Sequence, residues 1–278
     1  MISTISQLLL LSSIIVFSFV SNFAQSGVRI STVEELMASV KSGPCNNKER
    51  LEAVKKLFKE MGAADADIAV ESFKDIQNVV ITKKGKSDDK VVVGAHYDKV
   101  SDGCGTVDNW TGIVILANLY RSMAAVTPEK TYIFVAFDQE EIGSRGSEAM
   151  AKKIAKEDRP KYCSMVNLDS FGMGYPFILE NASSTPMVKF AKEVADGLKV
   201  KISSAPIEGA SSDSASFKGK DIPAITISAL SAKWPEILHT SKDKIENVIA
   251  DSVRIGYIFS LQYLVKIDSS PCDQFRKK

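Results

Sequence analysis

The sequence predicts the α/β class: a single-domain sandwich built around a central mixed, largely parallel β-sheet. From Asn78 onward, short β-branched runs alternate with amphipathic helical patterns, which is the signature of that class. Several of the runs lack polar alternation, as strands buried on both faces do. No polar break is long enough to serve as an interdomain linker.

Two helices come first. Apolar residues recur at three- and four-residue spacing over Thr32 to Val40 and Lys48 to Met61, with Gly43-Pro44 between them. Strands follow at Asn78 to Thr82, Val91 to Gly94, Tyr132 to Phe137, Met165 to Leu168 and Ala224 to Ser228. Between and after them, helical patterns occupy Gly112 to Met123, Ser147 to Ile154, Pro186 to Leu198 and Ser252 to Val265. Lys83 to Asp89, Ala125 to Lys130 and Asp158 to Lys161 are polar, turn-like breaks.

Composition narrows the function classes. Of 278 residues, 45% are apolar and 25% charged, as in ordinary globular chains, and 35 Lys plus Arg nearly balance 34 Asp plus Glu. Without a net field there is nothing to steer the molecule toward nucleic acid or an anionic membrane. Leu8 to Val20 is an apolar run too short to span a bilayer but suited to a signal-peptide core, with Ala24 before Gln25 as the cleavage point. Residues 1–24 are therefore expected to be removed, leaving residues 25–278 as a secreted domain, extracellular or periplasmic, soluble once the leader is gone and monomeric. Cys45, Cys104, Cys163 and Cys272 are an even set, which suggests one or two disulfides, and spacing leaves all three complete pairings open. Cys104 could instead serve a metal as thiolate, although no CxxC pair accompanies it.

The chemistry concentrates at strand ends. His96 and His239 are the only histidines. His96 follows the strand Val91 to Gly94 and so stands at its carboxyl end, where open α/β sheets place ligand sites. Asp98, two residues on, projects to the same side of an extended backbone and can orient the imidazole. Asp108 precedes the helix at Gly112; it is either a helix cap or a ligand bridging two cations. The strand Tyr132 to Phe137 runs into Asp138-Gln139-Glu140-Glu141, whose adjacent carboxylates repel unless cations relieve them. Asp169 ends a further strand, and His239 arrives after the strand near Ile225. Imidazole and carboxylate ligands without thiolates suit Zn²⁺ and, less exclusively, Mn²⁺ or Co²⁺. His96, Asp108, Glu141, Asp169 and His239 are more than one zinc needs and suit two.

Six ordered motifs, Gly94-Ala95-His96-Tyr97-Asp98, Asp108-Asn109 with Gly112, Glu140-Glu141 with Gly143 and Gly146-Ser147, Asn167-Leu168-Asp169, Ser212-Asp213 with Phe217 and Ile222-Pro223, and His239-Thr240 with Asp243, together resemble the co-catalytic dizinc aminopeptidases. These are bacterial leucyl aminopeptidase-like zinc exopeptidases, related to glutamate carboxypeptidases and glutaminyl cyclases. The resemblance covers roughly Asn78 to Val265. It implies a three-layer α/β/α sandwich of the zinc exopeptidase, phosphorylase/hydrolase-like kind, a peptide substrate and two Zn²⁺. It further implies that His96 and Asp169 bind one zinc, Glu141 and His239 the other, and Asp108 bridges them. Glu140 would be the general base, with Asp98 orienting His96.

Three positions depart from the family pattern. Trp110 stands where a small residue is expected and is read as narrowing the substrate entrance or stacking on a substrate side chain. Ser214 replaces a larger residue after Ser212-Asp213, and Arg145 replaces a small or apolar one. Trp110, Asp213 and Tyr175, the last on the loop after Asp169, are the expected substrate contacts. The alternatives are a carboxypeptidase or deacylase, with Arg145, Lys99 and Lys233 as carboxylate-binding cations, a glutaminyl cyclase, and a catalytically silent binding domain.

Overall fold

The computed structural model describes residues 28–276. The expected leader, residues 1–24, lies outside them. Local signals start the chain. Thr32 caps α1 (Val33–Lys41) in a reciprocal box, its Oγ1 accepting the Glu35 N–H while Glu35 Oε2 accepts the Thr32 N–H. Asn46 likewise accepts the Lys48 N–H at the start of α2 (Asn47–Glu60), which buries Arg50, Val54, Leu57 and Phe58.

Eight strands form one sheet: β1 (Ile68–Phe73), β2 (Ile76–Lys83), β3 (Lys90–His96), β4 (Thr131–Phe137), β5 (Tyr162–Leu168), β6 (Phe177–Leu179), β7 (Ser203–Ala205) and β8 (Ala224–Ser228), in the order β1-β2-β4-β3-β5-β8-β6-β7. The central pairs β4–β3, β3–β5 and β5–β8 are parallel, whereas β1–β2, β2–β4 and β6–β8 are antiparallel. The sheet is thus mixed, with a parallel centre, as expected. β1, β6, β7 and the five-residue helix α6 (Ser214–Lys218) are additions to the sequence reading. Two of those strands have only three residues, and β1 pairs on one side alone.

Helices cover both faces. Val91, Val93 and Ala95 of β3 join one core with residues of α1, α2, α3 (Thr111–Met123), α5 (Thr185–Leu198) and α7 (Ala250–Asp268). Val92 joins a second core with Met150 of α4 (Arg145–Lys153) and Phe217 of α6. That split follows from the two-residue period of a strand, and it makes the architecture three layers. Because β3, β4, β5 and β8 run parallel, their carboxyl ends share one rim, with His96 in register with Phe137.

Two disulfides settle the pairing, Cys45–Cys104 and Cys163–Cys272. Cys104 is therefore not a thiolate ligand. Among the described residues no helix is long and apolar enough to cross a membrane.

Candidate metal centre

The rim collects the ligands in two groups. His96, the last residue of β3, is 1% exposed, and its Nε2 lies 3.1 Å from Asp108 Oδ1 and 3.5 Å from Asp169 Oδ1. His239 is 58% exposed, and its Nε2 lies 3.2 Å from Asp108 Oδ2 and 3.0 Å from Glu141 Oε2. Each oxygen of Asp108 thus faces a different imidazole. Two tetrahedral zinc ligands at ~2.0–2.2 Å from a shared ion stand about 3.3 Å apart, which matches these separations. Glu141 Oε1, buried and without a hydrogen-bond partner, is a further lone pair for a cation. The donor set fits two zinc ions.

Local structure explains why Asp108 is available. The residue capping α3 is Asn109, whose Oδ1 accepts the Gly112 and Ser170 N–H groups while its Nδ2 donates to Leu168 O. The cap reading of Asp108 is thereby excluded. A Cβ at Gly112 would come within 2.2 Å of Asn109 Oδ1, so this close packing needs glycine. Asp243 holds the same segment from the other side, its carboxylate accepting the Val107 N–H at 2.6 Å and the Asp108 N–H at 3.1 Å.

Asp98 does more than orient His96. The His96 Nδ1 lies 3.2 Å from the Asp98 carbonyl oxygen and 3.4 Å from its Oδ1. That network assigns the proton to Nδ1 and leaves Nε2 for a metal. The Asp98 carboxylate also accepts the backbone N–H groups of Glu140 and Glu141, at 2.9 and 3.1 Å, and so aims both acids. Asp169 is held by Ser212, whose hydroxyl donates to Oδ2 at 2.5 Å while itself accepting from Asn167 Nδ2.

Electrostatics follow from burying so many acids together. Burial pushes Glu140 well above the carboxylate range; His96 opposes this, and Asp213, Asp169 and Asp108 add to it. Burial also raises Glu141 and carries Asp243 to about 6 and Asp213 to about 7. For His96, burial would lower the value, but hydrogen bonds to Asp108, Asp169 and Asp98 reverse it and hold it well above normal. His239 is held at about 10 by hydrogen bonds to Asp108 and Glu141. Cations bound among these groups would draw the carboxyls back down.

The expected substrate contacts fare differently. Trp110 does not line an entrance: it is buried, its Nε1 donates to Ser39 O, and it packs in the core against the helical layer. An apolar ring with one polar handle found a partner inside, which sequence position alone does not disclose. Asp213 is also fully buried rather than at the surface, and its charge acts on Glu140 and Asp169. Ser214 is buried and donates to Ala182 O. Tyr175 is exposed, with Lys201 Nζ 5.8 Å from its ring centroid. A cavity of about 650 Å³ opens beside Asp98 and Glu141, lined also by Lys48, Leu51, Asp75, Lys99 and Arg145. Two of its cations are committed: Arg145 pairs with both Asp75 oxygens at 3.0 Å, and Lys99 Nζ donates to Val100 O and Ser101 O.

The sequence profile of peptidase family M28 matches residues 78–258, which spans all five candidate ligands and Glu140. The chain belongs to that family. Aminopeptidase YwaD of Bacillus subtilis (strain 168) is 31% identical to this M28 chain over 102 residues, 36% of this chain and 22% of the relative. The chain therefore spans under a quarter of that relative in the aligned segment. Among solved structures, LapB from Legionella pneumophila superposes with a TM-score of 0.71 at 17% identity, covering 89% of this chain and 74% of LapB. A Zn-dependent exopeptidase from Parabacteroides distasonis superposes at 0.67 with 18% identity, covering 87% of this chain and all of that one. At those identities the likeness establishes the M28 fold. Asp243 and Asn109, which position Asp108, lay inside motifs visible in the sequence, but which residues they pair with did not show there.

Proposed function

We propose that the protein is a secreted aminopeptidase that holds two zinc ions and releases N-terminal residues from peptides. The reading rests on Asp108, whose two carboxylate oxygens face His96 and His239 separately. When bound, zinc polarises the scissile carbonyl and lowers the pKa of water toward neutrality. His96, Asp108 and Asp169 would hold one ion, and His239, Asp108 and Glu141 the other. Glu140, fixed through its backbone by Asp98, takes a proton from the attacking water and returns it to the leaving amine. A carboxyl that burial pushes upward is suited to that exchange near neutral pH.

Charge favours a free amino terminus over a carboxylate. Once bound cations draw the raised carboxyls back down, Asp98, Asp108, Glu140, Glu141, Asp169, Asp213 and Asp243 together outnumber the charge of two dications and the nearby Arg50. An α-ammonium is attracted to such a site, and a C-terminal carboxylate is not. Of the three cations a carboxypeptidase would use, Arg145 and Lys99 already have partners, and Lys233 does not line the cavity beside Asp98 and Glu141. Secretion is supported by the N-terminal apolar run and by two disulfides, which persist in oxidising compartments.

The test is a panel of amino-acyl chromogenic amides alongside N-blocked and C-terminal-carboxylate substrates. Free N-termini should be preferred, chelation should abolish turnover, and zinc should restore it. Cleavage confined to blocked substrates would overturn the aminopeptidase reading.

A further inference from the structure

Arg50 lies on α2, ahead of the residues that match the family profile. Its side chain is fully buried, yet its four hydrogen bonds all go to backbone carbonyls. Nε donates to Pro44 O at 3.1 Å, Nη1 to Tyr97 O at 2.9 Å, and Nη2 to Cys104 O at 2.5 Å and Gly105 O at 2.7 Å. Tyr97 sits between His96 and Asp98, and Gly105 opens the segment that carries Asp108. One guanidinium fork therefore spans the backbones that present His96 and the shared Asp108.

Neighbouring features reinforce that reading. Gly105 has φ +56, and a Cβ there would lie 2.9 Å from Arg50 Nη2 and 2.6 Å from Lys99 Cβ, so the approach needs glycine. The Cys45–Cys104 disulfide ties the start of α2 to the segment that carries Asp108, and the paired bonds between the Asn47 side chain and the Lys99 backbone tie α2 to the segment that follows His96. The Trp110 ring centroid lies 5.6 Å from the guanidinium carbon and closes the pocket.

A buried cation without a paired carboxylate is costly unless a field compensates it. That field comes from Asp243, Asp98, Asp108 and Glu141. These are the acids of the metal centre and its immediate supports. A structural arginine would need only the carbonyls; this one also moderates the repulsion among the acids and sets the spacing of their backbones.

We propose that Arg50 is a positioning residue of the metal centre, holding the His96 and Asp108 backbones at the separation that zinc requires. The proposal rests on the metal reading above. Lysine keeps the charge but loses the planar fork, and glutamine loses the charge. Arg50→Lys and Arg50→Gln are purified with both disulfides oxidised and their folding checked by near-ultraviolet circular dichroism. Zinc affinity is measured by chelator competition below the melting temperature of the metal-free protein, and the visible spectrum is recorded with cobalt in place of zinc. Partners that orient metal ligands are worth ~10–100-fold in affinity. Arg50→Lys is expected to lose at least ~10-fold and Arg50→Gln more, both with displaced cobalt bands.

Wild-type zinc affinity together with an unchanged cobalt spectrum in folded Arg50→Lys would overturn the proposal. If neither variant folds metal-free, refolding with excess zinc should recover folded protein, because metal binding is linked to folding; no recovery overturns it equally. Failure of the unaltered protein to bind zinc would overturn the metal reading itself.

Discussion

The two halves of the centre are built on different principles. His96 and Asp169 come from the ends of adjacent parallel strands, where register sets their positions, and His96 is almost completely covered. His239 and Glu141 come from connecting segments, with His239 at φ +58 and more than half exposed. His96 derives its position from the sheet, whereas His239 depends on a loop that solvent can reach; the two acids, Asp169 and Glu141, are both largely covered. Order at the first and access at the second follow from that difference.

The largest expected effect lies between the halves. Glu140→Gln should retain zinc and lower kcat by at least ~10²-fold, the loss typical of a positioned acid-base group. Full turnover in a zinc-replete variant would remove Glu140 from the role. Next in size, Asp108→Asn should weaken zinc binding at both half-sites by ~10-fold or more, read by chelator competition; an effect on one ion alone would mean that the bridge is not shared.

The contrast itself can be broken by paired histidine variants. His96→Ala leaves buried acids without a partner and should cost the metal-free protein about 1–3 kcal/mol in denaturant unfolding. His239→Ala, at an exposed and solvent-screened position, should cost less than His96→Ala while releasing its zinc. Equal losses of stability would show that burial does not distinguish the halves.

A pH titration sharpens the same point. The folded value of His239, about 10, lies above the ~6.5 of an unfolded chain. Its stabilisation of the metal-free protein is therefore complete below ~6.5 and is lost as pH rises toward 10. The melting temperature of metal-free protein should fall across that window, and His239→Ala should flatten part of the fall. The smallest effect belongs to Trp110→Phe, which removes one hydrogen bond to Ser39 O and should cost about 0.5–1.5 kcal/mol with KM unchanged. A raised KM would return Trp110 to the substrate path.

Much of the fold was legible because its signals are local. The apolar run before His96 is β3, and the spacing of Leu51, Val54, Leu57 and Phe58 is α2. The three-residue strands β6 and β7 carry too little pattern to stand out. At the site, residue type and strand-end position identified the histidines and acids, whereas Trp110 was misplaced. Arg50 was invisible because its partners are carbonyls, which carry no side-chain signature.

By itself the sequence determined which side chains are present and the periodicity that makes each segment a strand or a helix, both of which depend on neighbours within a few residues. Tertiary packing decided that Asn109 rather than Asp108 caps α3, that Cys45 joins Cys104, and that a guanidinium from the first layer reaches the metal rim. Those outcomes depend on distances between residues remote in the chain, and such distances exist only once the layers have closed on one another.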